Sequence, residues 1–103
     1  MPKLIYCSTN DSKEARTIAQ TILKEKLVAC VNIIPTVESL YRWKGDIENQ
    51  KEAVMIIKTV DEKVTDAIKR IHELHSYDVP EIIVLPLVDG LPTYFDFLRK
   101  ETL

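Results

Sequence analysis

The feature that most constrains this chain is where its apolar period changes. Lys3 to Thr9 is a short apolar run ending in Ser8-Thr9-Asn10-Asp11, the pattern of a buried strand running into a helix cap. From Asp11 the period becomes helical. Ala15, Ile18, Ala19, Ile22 and Leu23 form one stripe, Asp11 and Glu14 have the spacing of a capping box, and Lys24 and Lys26 suit the negative pole of the helix dipole. Val28 to Ile34 is a continuous apolar run broken by Asn32 and closed by Pro35, which reads as a second buried strand. Beyond Pro35 the residues alternate, with Val37, Ser39, Tyr41 and Trp43 on one side and Glu38, Leu40, Arg42 and Lys44 on the other. Gly45-Asp46 supplies a turn, and Ala53 to Thr59 returns as a strand. Val64, Ala67, Ile68 and Ile71 restore the helical spacing after Asp61 and Glu62, and Pro80 ends it by excluding its predecessor from the helical region. Ile82 to Val88 is a last strand whose Pro86 marks an edge or a bulge, and Leu91, Tyr94, Phe95 and Leu98 make a short amphipathic helix.

This order predicts an α+β chain of ferredoxin-like type, a βαββαβ sandwich with an extended β-hairpin from Pro35 to about Gln50 and a C-terminal helix. A length of 103 residues without repeat or linker makes residues 1–103 a single domain. The patterning also poses a covering problem. Val28 to Ile34 and Ala53 to Ile57 are apolar on consecutive residues, so both sheet faces should be dry, yet two helices dry only one. The second face is expected to have no cover within the chain. The hairpin is longer than a chain this size packs against itself, and it places the only Trp and a Tyr at a charged tip. Trp43 and Tyr41 are therefore expected to anchor it on a neighbouring copy.

Several function classes are excluded or disfavoured. With 14 basic and 16 acidic residues mixed along the chain, no field draws phosphate backbones or anionic lipid, so neither nucleic acid nor membrane is an expected partner. The N-terminal stretch MPKLIYCSTNDSKEA lacks the apolar run of a signal peptide, and no apolar segment approaches the roughly 20 residues that span a bilayer. Two cysteines are too few for a disulfide framework and read as free thiols in a reducing compartment, which places the protein in the cytoplasm. No phosphate-binding Gly loop, GxSxG elbow or HExxH motif is present. Ser8 to Ser12 lacks the Arg and Gly of an acylphosphatase-like loop, and EAVMIIKT lacks the paired aromatics of an RNA-binding sheet.

The residues that could carry chemistry each have a plain alternative. Cys30, in the run VACVN, is either a small core hydrophobe or a soft thiolate ligand for Cu(I) or Zn. Cys7 poses the same choice, with Tyr6 and Ser8 on the opposite face of its strand. His75 follows the second helix, where an imidazolium suits the dipole, or where it could serve a cleft between subunits with Tyr77, Asp78 and Glu81. His72 reads as solvated, and so do Glu38, Asp46, Glu48 and Glu52, paired if at all with Arg42, Lys44 and Lys51. No clustered Cys/His spacing exists, so metal ligands would have to be gathered across the fold or between subunits.

Three stretches in register, KLVACVNIIP (26–35), SLYRWKGDIE (39–48) and LHSYDVPEII (74–83), together with YCSTND and YFDFLRKET, resemble the CutA family of divalent-cation tolerance proteins over essentially the whole chain. The resemblance implies a homotrimer in which each subunit lends its hairpin to a neighbour, an architecture similar to the PII signalling proteins, and a cytoplasmic location. It also implies tolerance of divalent metals, binding of copper or a related divalent ion, and no established catalytic reaction. It favours Cys30, His75 and Cys7 as metal ligands and Tyr41, Trp43, Tyr77 and Glu81 as lining inter-subunit clefts. A PII-like signalling trimer taking a small metabolite or anion in those clefts is the alternative, and an enzyme using Cys30 or His75 is a third. One departure stands out, since the family commonly has Pro where this chain has Ser76.

Overall fold

A computed structural model describes the chain from Met1 to Leu103. Its elements run β1 (Pro2–Thr9), α1 (Ser12–Lys24), β2 (Cys30–Trp43), β3 (Asp46–Val60), α2 (Asp61–Leu74), β4 (Ile82–Pro86) and α3 (Pro92–Lys100). The four strands form one sheet in the order β2-β3-β1-β4 with every pairing antiparallel, the ferredoxin-like arrangement expected.

Local chemistry sets the element ends. The Asp11 side chain accepts the Glu14 N–H at 2.8 Å, and the Glu14 carboxylate reaches back to the Asn10 N–H at 2.9 Å, a capping box whose return bond lands one residue early. Pro86 is the last residue of β4, an edge strand that pairs only with β1, so its missing N–H breaks no ladder. Strand β4 therefore stops short of the expected Val88. The hairpin turn is also displaced by one residue. Trp43 pairs with Asp46, so the central residues are Lys44 and Gly45, both at positive φ (50° and 90°), which matches the twist of a two-residue hairpin.

The main core lies between the sheet and helices α1 and α2. Ile5 and Cys7 of β1, Met55 and Ile57 of β3, Ile18 and Ile22 of α1 and Ile71 of α2 are fully or almost fully buried together. Directly opposed residues of an antiparallel ladder share a face. The register therefore puts Leu4, Tyr6, Ser8, Cys30, Ile34, Val54, Ile56, Lys58 and Ile83 on the second face.

That second face is not bare, and here the expectation is corrected. Helix α3 packs against β3 and β1, and its Leu98 is fully buried outside the main core cluster. The short C-terminal stripe, read only as an amphipathic helix, thus shields part of the sheet. Ile34, Ile83 and Leu85 remain 40%, 50% and 45% exposed, so the covering problem survives in reduced form. Beyond a register shift between Ile34 and Val37, β2 and β3 continue as a twisted ribbon, which gives the chain its 44 Å long axis.

Candidate functional site

Where the ribbon leaves the sheet it faces the loop that follows α2, and a cleft of about 800 Å³ opens between them. The sequence builds this cleft from its back wall outward. His75 caps α2 in an extended conformation (φ −79°, ψ 143°) that turns its ring inward. Its Nε2 donates to the Ser8 carbonyl at 2.7 Å while Nδ1 accepts the Tyr77 N–H at 3.1 Å, so both nitrogens are occupied by backbone. The rings of His75 and Tyr77 pack with centroids 4.7 Å apart, which sends the Tyr77 hydroxyl towards the ribbon.

There the hydroxyl joins a chain of bonds. Tyr41 donates to Gln50 Oε1 at 2.7 Å, Gln50 Nε2 donates to the Tyr77 oxygen at 3.2 Å, and Tyr77 donates to Glu52 Oε2 at 2.7 Å. Burial, reinforced by the adjacent Glu52 carboxylate, pushes the Tyr77 hydroxyl well above the usual phenol range, so it stays a donor. Ser8 closes the side of the cleft by donating to Glu81 Oε1 at 3.1 Å. Behind the loop, the Ser76 N–H donates to Glu14 Oε2 at 2.8 Å. Burial acts to raise the Glu14 carboxyl, but hydrogen bonds from Ser76 and Asn10 outweigh it and hold the group below the usual carboxylate range.

Of the seven residues singled out in the sequence, Tyr41, Trp43, Tyr77 and Glu81 line this one cleft. His75 stands behind it, holding the loop. The two cysteines lie elsewhere and apart. Cys7 opposes Met55 in the main core, and burial, with smaller contributions from Glu14, Glu81 and Glu52, pushes its thiol up to about 12. Cys30 opposes Lys58 on the second face, partly buried, with Lys58 Nζ 3.8 Å from its sulfur and also donating to Asn32. Cys7 and Cys30 therefore occupy opposite faces of one sheet. No three His, Cys, Asp or Glu side chains converge to hold a metal ion.

Comparison with known proteins places this architecture. The family model for the CutA1 divalent ion tolerance protein matches residues 3–101. The chain belongs to that family. It is 37% identical to the divalent-cation tolerance protein CutA of Thermus thermophilus over 102 residues, covering 99% of each chain. It is likewise 37% identical to the chloroplastic CutA of Arabidopsis thaliana, of which it spans 57%. The solved structure of the periplasmic divalent cation tolerance protein CutA from Archaeoglobus fulgidus superposes with a TM-score of 0.97 at 35% identity, covering all of both chains.

Within this CutA1-family chain, sequence reasoning missed two elements of the site. Glu52 reads as a solvated hairpin charge, yet it is 8% exposed and bonded to Tyr77. A signal was available, because Glu52 shares strand parity with Val54 and Ile56 and so belongs to their face. Glu14 reads as a cap alone. Its second task, tying down Ser76 from 62 positions away, has no local signature.

Proposed function

We propose that this CutA1-family chain acts as a cytoplasmic homotrimer that binds copper or another divalent metal ion and contributes to metal tolerance without catalysing a reaction, with residues 1–103 forming one CutA-like unit. The observation that carries the assembly is the partly bare sheet face beside a protruding ribbon. Ile34, Ile83 and Leu85 lie exposed on that face, and Trp43 and Leu40 are 50% and 64% exposed on the ribbon. Aromatic and aliphatic anchors on an unsupported two-stranded ribbon suit an interface between copies. The reading of a reducing compartment such as the cytoplasm draws on two unpaired thiols on opposite sheet faces.

A single chain does not fit a complete metal site, since no ligand trio converges. The reading therefore places the metal between copies, with Cys30 giving one soft ligand from the second sheet face. His75 and Cys7 remain the other proposed ligands. To serve, His75 would have to release the Ser8 carbonyl or the Tyr77 N–H, and Cys7 would have to leave the core as a thiolate.

Calorimetric titration of the purified protein with Cu(I) and Zn, paired with sedimentation, tests the reading. A trimer whose Cu(I) affinity falls at least about tenfold in Cys30→Ser supports it. Unchanged Cu(I) binding in that variant would return Cys30 to packing. The cleft gives no support to a small anion as ligand, because its charged lining residues are all acidic.

A further inference from the structure

Strand β3 carries one row of side chains on the second sheet face, and the charge of that row changes sign along its length. Over the body of the sheet Lys58 is the one charged strand residue on that face, half-buried and opposed to Cys30 on β2 and Leu4 on β1. Its Nζ meets the Cys30 sulfur and the Asn32 side-chain oxygen, and no carboxylate. Along the ribbon the same row is acidic. Asp46, Glu48 and Glu52 oppose Trp43, Tyr41 and Val37, so the side of the ribbon that holds the two aromatics has carboxylates and no lysine or arginine. Glu52 is turned to Tyr77, whereas Asp46 and Glu48 are exposed and take part in no ion pair.

These charges matter once the anchors are seated. Directly opposed residues of an antiparallel ladder share a face, so a ribbon that lays Tyr41 and Trp43 on a neighbouring copy brings Glu48 and Asp46 with them. Carboxylates that lose water there without a partner would oppose the contact, and so would Lys58 beneath a covering copy. Within one chain the two signs do not meet. Lys58 and Glu48 share β3, and at about 3.3 Å per residue the stretch between them is roughly 33 Å long. Between copies each supplies what the other lacks. Glu48 is the better placed of the two acids, because Asp46 pairs with Trp43, whose ring already holds Lys44 Nζ of its own chain 5.8 Å from the centroid.

We infer that Glu48 of one copy forms an ion pair with Lys58 of the next, so that the aromatic side of each ribbon lies on the second sheet face of its neighbour. The inference rests on the assembly proposed above and adds to it a direction and a residue pair. The contact is head to tail, and it closes into a ring in which every Lys58 is matched. Charge complementarity selects this register over one that seats the ribbon on bare isoleucine and leucine alone, since the latter leaves both charges unpaired.

Sedimentation equilibrium of the full chain, with far-UV circular dichroism as the check on folding, tests the pair by charge reversal. Glu48→Lys and Lys58→Glu are each expected to raise the subunit dissociation constant at least about tenfold. The double variant, which restores opposite signs at every contact, is expected to return it to within about threefold of the wild type. Glu38→Lys, on the other side of the ribbon, changes net charge equally and is expected to leave it within the same margin. Carbodiimide coupling of the wild type is a readout that needs no variant, because it joins an ammonium to a carboxylate in contact, and a Lys58–Glu48 amide can form only between copies. Trimers of Glu48→Lys as tight as the wild type, a double variant no tighter than the weaker single one, or coupled trimers without that amide would each overturn the pair while leaving the assembly standing. A wild-type protein that sediments as single chains would overturn the assembly and the pair with it, and would give the face to another occupant.

Discussion

Ser76 shows how one side chain's absence of a ring can matter. The Ser76 backbone keeps an N–H, and that N–H donates to Glu14 Oε2 at 2.8 Å. A proline cannot make this bond. Ser76→Pro is therefore expected to destabilise the chain by about 1.5 kcal/mol at neutral pH, the low end for a bond to a charged group because the site is solvent-accessible. The pH dependence isolates the cause. The Glu14 carboxyl is held below its ordinary range in the folded chain, so its stabilisation is complete above the unfolded value near 4.3 and is lost as pH falls through the folded value. Urea unfolding of both proteins should show a gap at pH 7 that narrows below about pH 4. A gap of constant size across that range would mean that backbone restriction, not the lost bond, accounts for it.

At the scale of elements, the ribbon is where sequence and structure inform each other most. Its aromatic side was legible from alternation alone, since Tyr41 and Trp43 share a face in the observed register as the period of two requires. What alternation could not give is the third side of the cleft, because the loop carrying Tyr77 to Glu81 reaches the ribbon only after α2 has crossed the sheet. The Tyr41–Gln50–Tyr77–Glu52 chain spans that junction, and each bond depends on a register that no local pattern encodes. Helix α3 was legible as a helix but not as a cover, because its stripe does not say which face it meets. If the ribbon seats on a neighbouring copy, Trp43→Ala and Tyr41→Ala should each weaken assembly by roughly 2 kcal/mol or more, with little change in the far-UV circular dichroism of the subunit. Trimers that persist in sedimentation at low micromolar concentration with both substitutions present would remove the ribbon from the interface.

At the scale of the whole molecule the two sheet faces have unequal cover, and this inequality determines what stability should look like in solution. One face is sealed by α1 and α2, with Ile5, Met55, Ile57 and Ile71 all fully buried, and substitution there should unfold the subunit whatever its concentration. The other is covered by α3 only where that helix packs on β3 and β1, and Ile83 on β4 is 50% exposed beside Tyr6. A lysine at position 83 removes little packing within the chain, so on a lone subunit the change should fall within about 0.5 kcal/mol. In an assembly that buries this face, the same lysine would be desolvated without a partner and should prevent association. Mass action then gives a distinct signature, because a chain stabilised by its own copies melts at a temperature that rises with protein concentration. The wild-type melting temperature should fall across a hundredfold dilution series, and Ile83→Lys should lower it and make it independent of concentration. A wild-type melting temperature already flat across that series would mean that the exposed strip of isoleucine and leucine is stable against water, and that the chain needs no copies of itself to fold.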